Sequence, residues 1–491
     1  MNGSRLDSAR SAWYRALAGA LAALVPACLM WGFTVDDALI SIRYAHHLGT
    51  GAGYAFNAGA PATDGVTPLP WTFLLVPLAH GADLLDALAR AKVLGVLVWT
   101  AAGAALGMRF ASLARAWPLV FVAAAFPIGA WAASGMETGL ATALATLAVT
   151  RFERPNLAGG LAGLAAALRP ELAPWALALA AGATIAARPT TRRARPVLLA
   201  FAPFGLCVAI RLFAFGQPVP LALAAKPSDA AHGLVYAVAA LVVGLLPLLV
   251  LAPLALRRAS PRAKTLVVAL LVQALVMVAV GGDWMPYARL IVPILPGLAL
   301  AAADVAEVAH RGATLARAAI AAVLAVYTIQ GAAPAGRHVG RDRAALIERA
   351  RPALASSKVI AALDIGWVGA ASEAMIVDLA GLTDPAIALL PGGHTSKSVD
   401  PAMLLDRQVD TVLVYTPPRA VESRLLHAPL FRERFEVAEK LPLGETATEY
   451  VVFRRRTAAP TPPPATDTPQ LDRDLLHDEG RWMLPNGAKS P

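Results

Sequence analysis

The stretch that decides the fold runs Ala16-Leu17-Ala18-Gly19-Ala20-Leu21-Ala22-Ala23-Leu24-Val25-Pro26-Ala27-Cys28-Leu29-Met30-Trp31-Gly32-Phe33, followed by Thr34-Val35-Asp36-Asp37. The first part carries no charge and approaches the roughly 20 apolar residues that a helix needs to cross a bilayer core. The second part ends it with two carboxylates. Arg5, Arg10 and Arg15 precede the run, as a helix entering from the cytoplasm requires. Pro26 and the apolar Leu29–Trp31 after Cys28 argue against cleavage there, so the segment reads as an uncleaved first span.

The same pattern recurs along the chain. Further apolar segments lie at about 87–107, 117–133, 136–151, 156–169, 171–187, 196–215, 234–256, 264–282, 289–308 and 313–330. The chain is 57% hydrophobic and only 15% charged, with a mean hydropathy of +0.57. A soluble chain averages about 45–50% apolar and about 25% charged, so a large soluble enzyme, a disordered protein and a fibrous repeat are excluded. The expectation is an α-helical polytopic membrane protein with about 11 transmembrane helices. Cys28 and Cys207 both lie in apolar runs, which leaves no disulfide framework.

The basic residues set the orientation. The net charge is +10, but it is spread between apolar stretches rather than gathered in one patch, so nucleic acid is not an expected partner. With the N-terminus inside, eleven spans put Arg109 and Arg115, Arg151 and Arg154, Arg188–Arg195, Arg257–Lys264, and Arg311 and Arg317 on the cytoplasmic face. Counting Pro68–His80 as a twelfth span would turn the later basic loops outward, against the positive-inside rule. That dozen-residue run is therefore read as an interfacial helix.

Past residue 332 the composition shifts to mixed charge. Short β-rich runs appear at Lys358–Leu363, Met375–Asp378, Thr411–Tyr415 and Tyr450–Arg454, with a helical stretch at Asp342–Leu354. The expected organisation is a membrane domain over 1–331, with a first outer loop at 34–86, then a small extracytoplasmic α/β domain over 332–456. Residues 457–491, rich in Pro, Asp and Gly without periodicity, are expected to be a disordered tail.

In the eleven-span arrangement the polar clusters collect on the outer face. They are Asp36-Asp37 through Arg43 to Asp64, then Ser134-Gly135-Met136-Glu137-Thr138, Arg169-Pro170-Glu171, Lys226, and Gly281-Gly282-Asp283-Trp284-Met285-Pro286 with Arg289. Each has a plain alternative. Asp36-Asp37 and Glu137 suit helix starts, Arg169-Pro170-Glu171 an ordinary turn, Lys226 an exposed interfacial lysine, and Trp284 an aromatic belt. His46 and His47 lack ligand partners at metal spacing. Together, however, they place ionisable groups at many helix ends on one surface, where intramembrane and interfacial charge marks function. A transport path would hold its charges near the midplane instead.

Such a face suits group transfer from a lipid-linked phosphate. A carboxylate can take the proton from an attacking hydroxyl, and Arg and Lys can neutralise a departing phosphate. At this point the chain resembles the GT-C superfamily of membrane glycosyltransferases, in particular bacterial relatives of the mycobacterial terminal arabinofuranosyltransferase. The residues carrying the likeness are Asp36-Asp37, Ile40-Ser41-Ile42-Arg43-Tyr44-Ala45, Gly51-Ala52-Gly53, Phe56-Asn57-Ala58-Gly59, Ser134 to Thr138, Arg169-Pro170-Glu171, Gly281 to Pro286, Asp364-Ile365-Gly366 and Asp378 to Thr383. Two stretches depart from the family pattern, Asp64-Gly65-Val66-Thr67-Pro68 and Pro220 to Lys226, so arabinose is not carried over as the sugar.

The resemblance implies a transferase of the bacterial inner membrane that moves a sugar from a polyprenyl-phosphate donor to a cell-envelope glycan or lipid. It implies Asp36 or Asp37 as catalytic base, with Asp36 preferred, and Arg43, Arg169, Lys226 and Arg289 as phosphate partners. Asp64, Glu137, Glu171, Asp283 and Trp284 would contact the sugar or acceptor. For Glu137, Glu171 and Asp283 a divalent metal is the alternative ligand. The competing reading is a membrane carrier or flippase of lipid-linked sugars with no chemistry.

Overall fold

A computed structural model describes residues 2–187, 194–246, 248, 250, 257–308, 311–444 and 448–456. The expected tail at 457–491, the basic residues 188–193 and part of the expected span 234–256 lie outside the described residues. The chain is mostly helical with a small C-terminal sheet, and residues Met1–Arg455 form one compact unit.

Among the described residues, four helices are long and apolar enough to cross a membrane: Arg10–Leu29, Arg195–Phe215, Pro261–Ala279 and the 43-residue Gly312–Leu354. A fifth is obtained if Ala114–Ala124 and Phe126–Ala132, bent by 66°, make one broken span. The remaining expected segments are helical but short. Thr138–Thr150 has 13 residues and Pro155–Leu168 has 14, each about 20 Å long against a bilayer core of about 30 Å. Pro155, Pro170 and Pro174 sit at the first positions of their helical segments, where proline is tolerated and a preceding helix is stopped. The interfacial run Leu69–Ala79 is an 11-residue helix.

The helices pack through small residues. A Cβ added at Gly19 would lie 2.1 Å from the Gly103 carbonyl oxygen, and one at Gly129 would lie 2.5 Å from the Pro26 carbonyl carbon. Such contacts bring backbones together, which is how helices associate where lipid removes the hydrophobic drive.

The 331/332 boundary falls inside one continuous helix, because Gly312–Leu354 runs from the apolar region directly into the C-terminal part. Beyond it, five strands pair in the order β2-β1-β3-β5-β4. They are β1 (Val359–Ala362), β2 (Met375–Asp378), β3 (Thr411–Thr416), β4 (Phe435–Pro442) and β5 (Glu449–Arg455). The pairs β1–β2 and β1–β3 are parallel, while β3–β5 and β5–β4 are antiparallel. Four strands fall on the expected runs. β4 does not, because Phe435-Glu436-Val437-Ala438-Glu439-Lys440 is a charged, largely exposed edge strand. Edge strands carry charge to block further pairing, and that same charge hides them from an apolar-run search.

The C-terminal part is fastened to the segment 36–57 by polar contacts. The buried Arg43 guanidinium donates to the carbonyls of Phe56 (2.9 Å), Gly369 (2.5 Å), Ser372 (2.8 Å) and Ala374 (3.3 Å). Asn57 exchanges two hydrogen bonds with the Ile376 backbone of β2, at 2.9 and 2.8 Å, as an added strand residue would. Gly366 is required by close approach, since a Cβ there would lie 2.2 Å from the Asp36 carbonyl oxygen. Replacing Arg43 with Met leaves several buried carbonyls without donors, each costing about 1–3 kcal/mol. The expected outcome is a clear drop in thermal unfolding midpoint in detergent, with the C-terminal part becoming the first site of limited proteolysis. An unchanged midpoint would mean that the fastening lies elsewhere.

Candidate functional site

The polar loops meet in one cavity of about 780 Å³. Asp37 enters from the first turn of the helix Asp36–Gly49, and Glu137 from the start of Thr138–Thr150. Arg169 and Glu171 come from the turn before Ala173–Ala186, and Lys226 from the end of the short helix Leu221–Ala225. Asp283, Trp284 and Arg289 come from the loop after Pro261–Ala279. Leu382 adds a wall from the C-terminal part.

Most of these charges neutralise one another. Arg169 donates to Glu137 at 2.9 Å and to Glu171 at 2.6 Å. Arg289 donates to Asp283 at 2.7 Å. Arg211, also in the wall, pairs with Asp64 at 2.7 Å, both nearly fully buried. Asp229 accepts from the backbone N–H groups of Ala231 and His232 at its helix start. Asp37 and Lys226 are different: among the described residues neither side chain makes a hydrogen bond or ion pair. One carboxylate and one ammonium are thus left available in a cavity whose other charges are already paired. The carboxyl oxygens Glu137 Oε2 and Asp64 Oδ1 are also buried without a partner.

The loop holding Asp283 is strained. Tyr287 (φ 64°) and Ala288 (φ 49°) adopt left-handed backbone, which non-glycine residues seldom do. The Tyr287 ring, against Phe33 at 5.2 Å and Phe126 at 5.0 Å, holds that turn and swings Arg289 back onto Asp283. Burial, the largest influence, would raise the Asp283 carboxyl, but Arg289, Arg169 and Lys226 outweigh it and hold it below its ordinary range. It therefore stays ionised. Trp284 stacks on His232 with ring centroids 4.4 Å apart and planes 6° apart, and His394 of the C-terminal part lies 6.3 Å from Trp284.

Three expected site residues are placed elsewhere. Asp36, the preferred base, accepts from the N–H groups of Gly366 (2.7 Å) and Trp367 (2.8 Å) and so caps the start of the helix Ile365–Ala371. Burial is the main reason its carboxyl is pushed up to about 6. Consecutive helix positions point about 100° apart, which sends Asp36 to the C-terminal part and Asp37 to the cavity. Arg43, expected at the phosphate, is consumed by the backbone carbonyls described above. Asp64 lies behind the wall as the partner of Arg211, and its carboxyl is raised by burial. Asp37, Glu137, Arg169, Glu171, Lys226, Asp283, Trp284 and Arg289 all line the one cavity.

The carboxylates expected as alternative metal ligands do not fit that role. Glu137, Glu171 and Asp283 are each ion-paired with an arginine, and among the described residues no group of three or more His, Cys, Asp or Glu is placed to hold a metal ion. Three site residues escaped the sequence reading. Arg211 had a signal, as the one charge within the apolar run Pro196–Phe215. His232 and His394 had none, because only the fold brings them to Trp284.

A second cavity of about 470 Å³, almost wholly apolar, adjoins the first, and Asp283 lines both. Its walls include Phe121, Phe126, Tyr236, Val243, Ile291 and Leu295. A family model described as a domain of unknown function (DUF8728) matches residues 336–459, which takes in the C-terminal sheet. No curated protein and no solved structure matches the chain.

Two outcomes follow from this geometry. Asp36→Asn removes one of two acceptors for buried N–H groups and is expected to cost about 1–3 kcal/mol of stability, whereas Asp37→Asn leaves the unfolding midpoint unchanged. Equal losses from both would undo the division of labour between the two residues. His394 is pushed down to about 4, first by burial and then by Lys226. Its neutral form is favoured in the native state, so the stability it contributes is present above its ordinary value of 6.5 and is lost as pH falls toward 4. Unfolding midpoints measured across that window are expected to fall less steeply in His394→Gln than in the wild type.

Proposed function

We propose that this protein is a polytopic membrane glycosyltransferase. It moves a sugar from a polyprenyl-phosphate donor to a cell-envelope glycan or lipid on the outer face of the bacterial inner membrane. The observation that carries the reading is the pair of charges, Asp37 and Lys226, that make no hydrogen bond or ion pair among the described residues, in a cavity whose other charged side chains are already ion-paired or hydrogen-bonded. The apolar cavity beside it suits the hydrocarbon of a lipid-linked donor. The ordered resemblance of the loop motifs to GT-C transferases points the same way. In this reading the eleven apolar segments all cross or enter the bilayer, the short ones re-entrant or matched by local thinning of the bilayer, with the N-terminus cytoplasmic and the C-terminal part outside.

Asp37 takes the proton from the acceptor hydroxyl as general base. The acceptor oxygen forms a bond to the anomeric carbon, and the bond from that carbon to the phosphate oxygen breaks. Its electron pair leaves with the polyprenyl phosphate, whose charge meets Lys226, with Arg289 and Arg169 behind it. Lys226 acts as a point charge and the arginines as directed donors. Trp284, stacked on His232, offers an aromatic face to a sugar ring, and the buried unpartnered oxygen of Glu137 offers an acceptor to a sugar hydroxyl.

The test uses membranes containing wild-type protein, Asp37→Asn, Asp36→Asn or Lys226→Met, each incubated with a panel of polyprenyl-phosphate sugars and envelope glycans. Release of free polyprenyl phosphate is expected from the wild type, with at least about a hundredfold loss in folded Asp37→Asn. Residual activity is expected in whatever fraction of Asp36→Asn folds. Movement of labelled lipid across the bilayer without release, in wild type and Asp37→Asn alike, would overturn the enzyme reading in favour of a carrier.

A further inference from the structure

A third cavity, of about 550 Å³ and sharing no lining residue with the other two, lies between Arg10–Leu29, Leu84–Gly107 and Gly312–Leu354. One part of its wall is apolar, made by Cys28, Leu29, Trp31, Leu85 and Leu88. The other part holds Lys92, Arg337, Arg341 and Arg343. Among the described residues no carboxylate lines it. Four cations facing one space repel each other, and such a grouping is stabilised when an anion enters.

The cations are only partly engaged. Lys92 donates to the carbonyls of Trp31 (2.5 Å) and Phe33 (3.2 Å), which leaves the third ammonium hydrogen of an NH3⁺ group. Arg341 reaches His338 and, at 3.3 Å, Asp342. Arg343 Nη1 and Thr34 Oγ1, both on residues of this wall, have no hydrogen-bond partner. The helices Arg10–Leu29 and Leu84–Gly107 that border it expose apolar side chains, among them Leu21, Val25 and Leu97.

Charge on one wall, hydrocarbon on the other and exposed apolar side chains on the bordering helices together define an amphiphile. We propose that this cavity binds the anionic headgroup of a membrane glycerophospholipid, with the phosphate on Arg337, Arg341, Arg343 and Lys92 and an acyl chain lying along the Arg10–Leu29 helix. Because Arg343 also acts electrostatically on Asp36 and Asp364, the bound lipid steadies the junction between the apolar region and the C-terminal part. This site is independent of the transferase reading.

The test uses the full chain in nanodiscs of phosphatidylcholine with or without phosphatidylglycerol, followed by delipidation in detergent and native mass spectrometry. Wild-type protein is expected to retain phosphatidylglycerol in preference to phosphatidylcholine and to gain thermal stability from it. The exposed pair R337Q/R341Q is expected to lose about tenfold or more in retained phosphatidylglycerol while still folding. R337K/R341K, which keeps the charge, is expected to restore most of it, and Arg432→Gln, on the far C-terminal surface, to change nothing. Equal retention by wild type and R337Q/R341Q would overturn the proposal. So would equal retention of the two lipids, or full displacement of phosphatidylglycerol by millimolar inorganic phosphate, which would mark a site for the free anion.

Discussion

Two charge-assisted interactions at the foot of the C-terminal part hold the rest of the structure in place. The Asp36 carboxylate takes the first free N–H groups of the helix Ile365–Ala371, and the Arg43 guanidinium takes carbonyls at its other end and beyond. An acid at the N-terminal end and a base at the C-terminal end of one short helix both complement its dipole. Because Asp36 and Arg43 lie on the same Asp36–Gly49 helix, the two helices are locked in register. That register is what brings Leu382 and His394 over the cavity and turns Asp37, one position along, into it.

The cavity itself follows a rule of charge pairing. Taking an arginine out of water is tolerable when its carboxylate partners come with it, and Arg169, Arg211 and Arg289 all arrive that way. Such pairs hold each charge in place without supplying a free proton acceptor, although a donor or acceptor atom they leave open, such as Glu137 Oε2, can still meet a ligand. Reactivity then depends on whatever is left over. Among the described residues Asp37 and Lys226 make no hydrogen bond or ion pair, which gives the cavity a proton acceptor and a cation that a bound ligand can engage without breaking an existing bond.

Much of this was legible in the residues. Apolar length located the helical segments, and β-branched runs located β1, β2, β3 and β5. The loop motifs named eight of the residues that line the cavity, because charge at a helix end next to lipid is costly enough to need a reason. What the sequence concealed has physical causes. Helices of 13 or 14 residues without a charge read like spans although they fall short of a bilayer core, and β4 carries its charge on an exposed edge. Arg211 was visible as a lone charge, yet only the fold shows that its partner is Asp64, 147 residues away.

The hardest thing to read was direction. Asp36 and Asp37 are chemically identical neighbours, and a motif containing both cannot say which one meets a substrate. A helix turns about 100° per residue, so neighbours on a first turn face different bodies whenever the helix lies between two. Here one body is the C-terminal part, whose N–H groups take Asp36, and the other is the open cavity, which Asp37 lines. The same geometry explains why Arg43 is lost to the site: seven positions after Asp36 is nearly two full turns, which returns it to the same face. A first-loop residue thus belongs to the fastening or to the site according to its helical phase, and its chemical type alone does not decide between them.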